Sequence, residues 1–375
     1  MQKSTNNKEL HQPGSRRVLL VIGSLSGGGA ERQITQMANY WNRQGWKVTL
    51  ATTTANGTTD SYYVHPTITR VHLLARKRGM SSRILRTGLL LARLRMLMTR
   101  FDPDFTISFL NTTNIMTLLA SLGTGHRVIV SERNNPQFHL GTTAAWKILR
   151  RLAFRLSFVV VAQTSDVATW MRQKYSCRTI VIPNVLRTMD LPDLMRRKSI
   201  LTLGRLHHCK GIDILLFAFS RIARIHPDWN LDIVGDGNEK EKLASLAQDL
   251  GIADRVKWHA WTNEIEPWFR STGIFAHPSR YEGYPNALLE AMASGCAVVA
   301  ADCPSGPSEI INHGINGLLI RKECPEALAR ALDDLIRNPT LRIRLGAEAT
   351  NVKDSHEETV IMDRWTNVCL GPACL

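Results

Sequence analysis

Cysteine pairs are missing from this sequence. Its seven cysteines form no CxxC and keep no fixed spacing from histidine, which excludes a zinc finger or ribbon and a disulfide scaffold. Long hydrophobic runs are missing too. No uninterrupted apolar stretch approaches the ~20 residues a spanning helix needs, so any membrane contact is expected to be peripheral. The opening segment, MQKSTNNKELHQPGSRR, has no apolar centre, and no signal peptide is expected there. Short-period repeats and low-complexity tracts are absent, which sets aside solenoids and fibrous chains. Acidic residues, finally, are scarce in one half only. Residues 1–190 hold 26 Lys and Arg against 8 Asp and Glu, whereas residues 191–375 hold 21 against 24.

The net charge of +15 therefore lies entirely in the first half, and nine Lys or Arg stand between Asp60 and Asp102 with no acid among them. A one-sided positive field suits a polyanionic partner: a lipid headgroup surface, a pyrophosphate-linked acceptor or nucleic acid. No motif that reads nucleic acid and no aromatic stacking platform accompanies the charge, so nucleic acid ranks last. A basic domain that is merely well solvated stays open as the plain alternative.

What is present reads as two successive α/β units. Arg17–Gly23 is a short apolar run ending in glycine, followed by a glycine-rich loop, a helical pattern over residues 30–44 and a second run at Lys47–Thr52. Residues 105–109, 127–131 and 158–162 continue the alternation, as buried parallel strands do. After Ile180–Pro183 the pattern restarts at Ser199–Gly204, with further strands expected at 231–234, 256–259, 274–277 and 297–300. Helices are expected at about 211–225, 239–250, 286–294 and 325–337. The prediction is two Rossmann-like, doubly wound parallel-sheet domains facing across a cleft: residues 1–185, a polar linker at 186–198, and residues 199–355. Ligands of such sheets bind beyond the carboxyl ends of the strands.

The most informative string is Ser279-Arg-Tyr-Glu282-Gly-Tyr-Pro-Asn-Ala-Leu-Leu-Glu290. One carboxylate sits in a Gly/Pro loop after a strand; the other, eight positions on, lies about one turn into the next helix. The backbone around Gly283, Tyr284, Pro285, Asn286, Ala287 and Leu288 would face an anion from the helix N-terminus. Asp102-Pro-Asp104 mimics a DxD metal motif, but proline between the acids ahead of an apolar run reads as a turn into a strand. No metal and no cofactor are expected.

This string, with the segments Gly295–Ile310 and Asn316–Leu319, resembles the C-terminal domain of family 4 retaining glycosyltransferases, which have the GT-B fold. Gly204-Arg205-Leu-His-His-Cys-Lys210-Gly211 is similar to that family's diphosphate loop. Gly23-Ser-Leu-Ser-Gly-Gly-Gly-Ala-Glu31-Arg is similar to its first loop. The resemblance spans about residues 17–345 and is closest to enzymes of bacterial lipid-linked oligosaccharides and surface polysaccharides. It implies that Gly204, Arg205 and Lys210 hold the donor diphosphate, that Glu290 binds the ribose, and that Glu282 binds the transferred sugar. Gly28 and Gly29 would let the first loop approach the phosphate. Arg205, Lys210 and Glu282 are the catalytic candidates, two cations suiting a leaving group whose charge grows. The segment 356–375 is expected to pack back on the first domain.

One departure is visible. Many family members carry a histidine after a strand of the first domain; here the region reads Val130-Ser-Glu132-Arg133-Asn134-Asn-Pro136. Glu132 or Arg133 is the candidate for that place, toward the acceptor hydroxyl or its phosphates, and His139 lies nearby but off the pattern.

On a helical wheel of residues 143–157, at about 100° per residue, Lys147, Arg150, Arg151 and Arg155 share one side. Trp146, Ile148, Leu149, Leu152 and Leu156 share the other. The expectation is an apolar side in the core and a basic side toward water or anionic lipid.

The predicted activity is transfer of a hexose or N-acetylhexosamine from a nucleotide sugar, UDP by resemblance, to a glycolipid or polyprenyl-diphosphate-linked acceptor. It would take place peripherally at the cytoplasmic face of a membrane. The alternatives are a soluble glycosyltransferase, a nucleic-acid-binding protein and an inactive scaffold.

Overall fold

A computed structural model describes residues 16–53, 60–74, 83–138, 144–189 and 196–370. His139 lies outside them. Seven parallel strands build the first sheet: β1 (Arg17–Ile22), β2 (Lys47–Thr52), β3 (Thr69–His72), β4 (Phe105–Phe109), β5 (Val128–Ser131), β6 (Val159–Ala162) and β7 (Thr179–Val181), in the order β3-β2-β1-β4-β5-β6-β7. Six more build the second: β8 (Arg197–Leu203), β9 (Asn230–Val234), β10 (Val256–His259), β11 (Thr272–His277), β12 (Ala297–Asp302) and β13 (Leu318–Arg321), in the order β10-β9-β8-β11-β12-β13.

Each sheet reverses direction beside its first strand, between β1 and β4 and between β8 and β11. That is the switch point where open α/β sheets place ligands. The glycine loop after β1, the Gly204–Lys210 loop after β8 and the Glu282 loop after β11 all leave the sheets there.

The central strands are apolar and closed to water on both faces, as parallel strands covered by helices must be. In the first lobe Trp41 and Phe109 are buried on one face, and Leu94, Met98 and Phe154 on the other. The helix Glu358–Leu370 crosses back to the first of these faces and buries Ile361, Met362 and Trp365 there.

Strands β3 and β13 have no counterpart in the sequence reading. Both are edge strands of four residues with no fully buried position, so the apolar signal of a central strand is weak in them. The residues Arg197 and Lys198, expected in the linker, begin β8.

Candidate active site

The loop after β11 carries the first carboxylate. Glu282 is 8% exposed, and its Oε1 accepts hydrogen bonds from Lys210 Nζ at 2.7 Å and from Ser279 Oγ at 2.6 Å. His277 Nε2, at the end of β11, lies 3.1 Å from the same oxygen. Oε2 accepts from none of these groups. The loop is pinned at its backbone, where Glu282 N donates to Pro304 O and Ser305 Oγ to Glu282 O. Burial pushes the Glu282 carboxyl up, but the Lys210 ammonium and His277 outweigh it and hold the group well below the usual carboxylate range. Burial likewise lowers Lys210, and Glu282 more than offsets it, leaving the ammonium above its ordinary value.

Lys210 reaches this point because its loop is held from behind. Arg280 donates to both Asp213 oxygens, at 2.8 and 2.7 Å, and to His208 O at 2.8 Å, and its amide donates to Cys209 O. A bidentate guanidinium of this kind fixes direction as well as distance. Arg205, on the same loop, is exposed and has no ion pair among the described residues. Arg280, Asp213 and His277 were not foreseen from the sequence; the one available signal was that Arg280 lies inside the Ser279–Glu290 string.

Glu290 lies on the helix Asn286–Ala293, 3% exposed. Its Oε1 accepts a hydrogen bond from Arg32 Nη1 of the opposite lobe at 2.6 Å. The lobes meet again one turn earlier, where Asn184 Nδ2 donates to Asn286 Oδ1 at 2.7 Å. Two glycines permit the approach. A Cβ at Gly29 would lie 2.9 Å from Asn286 Nδ2, and one at Gly283 would lie 2.5 Å from Arg133 O, so no larger residue fits either place without movement. Gly28 is the residue that starts the helix Gly29–Arg43, and Pro285 the one that starts Asn286–Ala293. Of the other donor-side candidates, Leu288 is buried in the core and Ala287 is packed against it. Tyr284 turns away from the cleft: its hydroxyl is 2.5 Å from His356 Nε2. Phe138 of the first lobe stacks on Tyr281 of the second at 4.8 Å.

The comparisons with known proteins follow this geometry lobe by lobe. A family model described as Glycosyltransferase Family 4 matches residues 27–188, and one described as Glycosyl transferases group 1 matches residues 192–352. The chain belongs to the family 4 glycosyltransferases of the GT-B fold. An uncharacterized glycosyltransferase of Haemophilus influenzae is 28% identical over 93% of this chain and 98% of its own. A Campylobacter jejuni transferase that adds N-acetylgalactosamine to a diNAcBac-PP-undecaprenol-linked glycan is 23% identical over 93% and 97%. Among solved structures, Anabaena HepE in complex with UDP and glucose superposes with a TM-score of 0.78 at 19% identity, covering 95% of this chain and all of that one.

On the first lobe of this glycosyltransferase, the acceptor candidates face inward. Glu132 is 2% exposed and pairs with Arg150 Nη2 at 2.5 Å. Arg133 is also buried. It donates to Asn184 Oδ1 at 2.6 Å, and its guanidinium lies 3.9 Å from the Phe109 ring centre. Burial lowers Arg133 to about 9. Only its backbone borders the cleft, against Gly283.

The helix Ala144–Phe154 corrects the wheel expectation. Arg150 belongs to the buried side with Ala153 and Phe154, while Ile148, Leu152 and Leu156 are 62%, 55% and 50% exposed and Trp146 37%. The rotation has a physical cause: a buried Glu132 carboxylate requires a counter-charge, and Arg150 supplies it. Lys147, Arg151 and Arg155 remain outside.

The Asp102-Pro-Asp104 segment caps the sheet instead of facing the cleft, Arg17 N donating to Asp104 Oδ2 at 2.8 Å. Among the described residues no group of three His, Cys, Asp or Glu side chains is close enough to hold a metal. No helix among them is long and apolar enough to cross a membrane.

Proposed function

We propose that this glycosyltransferase moves a hexose or N-acetylhexosamine from a nucleotide sugar to a lipid-linked saccharide acceptor in bacterial glycan or polysaccharide assembly, with retention of anomeric configuration and without a metal. The observation that carries the reading is the Lys210–Glu282 pair, set on two loops at the switch point of the second sheet. Lys210 has two further N–H donors for the donor diphosphate, and Arg205 adds a second, accessible cation. Glu282 Oε2 is free for a hydroxyl of the transferred sugar, and Glu290 is the residue for the ribose. UDP is the favoured nucleotide, in keeping with the complex of Anabaena HepE. The lipid-linked acceptor is in keeping with the name of the Campylobacter relative.

In the step itself, the bond between the anomeric carbon and the diphosphate oxygen breaks while the acceptor oxygen bonds to the same face. The acceptor proton passes to the departing phosphate oxygen. Lys210 and Arg205 stabilise the growing charge on that leaving group, and no carboxylate serves as nucleophile. The deciding experiment is incubation with a panel of sugar nucleotides and a polyprenyl-diphosphate-linked acceptor, the product anomer being read by NMR. A UDP-sugar should be consumed with retention, also in excess chelator. An inverted product or chelator-dependent loss refutes the corresponding part.

The first lobe would bring the enzyme to the cytoplasmic face of an anionic membrane. Lys147, Arg151 and Arg155 flank the exposed Ile148, Leu152 and Leu156, and each basic residue at an anionic surface contributes about 1 kcal/mol. Co-sedimentation should favour anionic over neutral vesicles and weaken in salt; equal partition to both removes the membrane reading, leaving a soluble glycosyltransferase.

A further inference from the structure

Glu290 is held by a cation that does not belong to its own lobe. Arg32 Nη1 sits 2.6 Å from Glu290 Oε1, with both side chains largely enclosed. Arg32 Nε is also buried and has no hydrogen-bond partner. The segment that carries Arg32 is stiffly anchored. Next to it, Gln33 exchanges two hydrogen bonds with the backbone of Val185, both 2.9 Å, at the exit from the first lobe. Thr35 Oγ1 bonds back to the carbonyls of Glu31 and Arg32. On the other side, the helix Asn286–Ala293 is touched from the first lobe at its opening turn as well, by Asn184.

A carboxylate has two oxygens and roughly four acceptor positions. Arg32 takes Oε1, and no other described group takes Oε2. We propose that Arg32 is a positioning residue for the donor. It acts through Glu290, fixing one oxygen of the carboxylate and leaving the other to the ribose hydroxyls, so that ribose recognition and closure of the two lobes are one event. This rests on Glu290 being the ribose residue. A charge-assisted contact sets the carboxylate plane more firmly than packing alone. Because its two halves lie on different lobes, the carboxylate is correctly set only in the closed arrangement, and ligand binding there favours that arrangement. Arg32 touches no reacting atom, so its loss should weaken donor binding and spare the chemical step.

The test is Arg32→Gln and Arg32→Lys in the full chain, with folding checked by thermal melting. Arg32→Gln should raise the donor KM at least about tenfold and weaken UDP binding in calorimetry by a similar factor, with kcat changed less than about threefold. Arg32→Lys should recover much of the affinity, since the contact uses a single N–H. The double variant Arg32→Gln/Glu290→Gln should bind UDP no more weakly than Glu290→Gln alone. Small-angle X-ray scattering of Arg32→Gln without donor should show a larger radius of gyration than the parent. An unchanged KM in Arg32→Gln, a kcat loss at constant KM, or additive losses in the double variant each overturn the inference. If Glu290→Gln itself binds UDP normally, the ribose assignment fails and takes the inference with it; a defect in Glu290→Gln with none in Arg32→Gln overturns the inference alone.

Discussion

Each lobe buries one glutamate beyond the end of a central strand and gives it a cation, yet the two pairs are finished differently. In the first lobe, Glu132 and Arg150 are both closed off, their side chains 2% and 7% exposed. The guanidinium also lies near the rings of Phe154 and Tyr175. In the second, Glu282 is 8% exposed but Lys210 is 25%, and its ammonium keeps donors to spare. A pair shut on every side orients what surrounds it, here the helix Ala144–Phe154. A pair whose cation still reaches solvent is prepared to meet an anion. Desolvation has been met in both, but only the second is left with unused capacity at the cleft.

Breaking each pair separately tests that contrast. The largest effect is expected in the first lobe. Arg150→Ala removes the cation paired with a buried carboxylate, and stability measured by urea unfolding should fall by about 3–5 kcal/mol. Glu132→Leu/Arg150→Met, which removes both charges, should cost clearly less than the single change. A loss no greater than that of an exposed pair such as Arg221–Glu326 would show that the enclosure means little. In the second lobe the burden should move from stability to rate. Glu282→Gln keeps the shape but removes the charge opposite Lys210, and kcat should drop by about 10²–10³-fold, the range seen when one preorganised electrostatic contact is lost. Its melting temperature should shift far less than that of Arg150→Ala. If Glu282→Gln unfolds the protein and leaves the turnover of the folded fraction intact, the two pairs are alike and the catalytic assignment falls.

The same contrast explains what could be read from the sequence. The second lobe announces itself because its two candidate carboxylates, Glu282 and Glu290, sit in one string, Ser279–Glu290, whose spacing already implies strand, loop and helix. The central strands of both sheets were legible for a related reason, being short apolar runs buried on both faces. What escaped depended on partners far apart in the chain. Arg280 holds the Lys210 loop through Asp213, 67 positions away. Arg32 meets Glu290 across 258. The facing of the helix Ala144–Phe154 was misjudged because a wheel weighs apolarity within the helix and has no access to Glu132, 18 residues earlier, whose carboxylate requires Arg150 on the inside. Strands β3 and β13 escaped because edge strands need no continuous apolar run.

The segment that ties the lobes together yields the smallest effect. His356 follows the helix core of the second lobe, and its carbonyl accepts from Leu186 N, at the exit from the first. Its ring is 7% exposed, with Nε2 2.5 Å from Tyr284 Oη and Nδ1 3.1 Å from Val352 O. Ser355 Oγ also lies 2.8 Å from Nδ1, so both ring nitrogens have partners inside the fold and none of them is a carboxylate that would favour the charged ring. Burial, together with nearby Arg364, accordingly lowers the His356 pKa despite the Val352 carbonyl. The unfolded chain has no such penalty and takes up that proton below about pH 6.5. Protons therefore bind more readily to the unfolded state as pH falls through and below that value, and stability is full above it and declines beneath it. His356→Gln retains a side chain able to meet Tyr284 but cannot titrate. Melting temperatures taken at pH 7 and pH 5 should differ less in this variant than in the parent, since every other titrating group is common to both. An equal drop in the two proteins would mean that His356 accepts its proton without leaving the fold, and that the joint between the lobes is looser than its contacts imply.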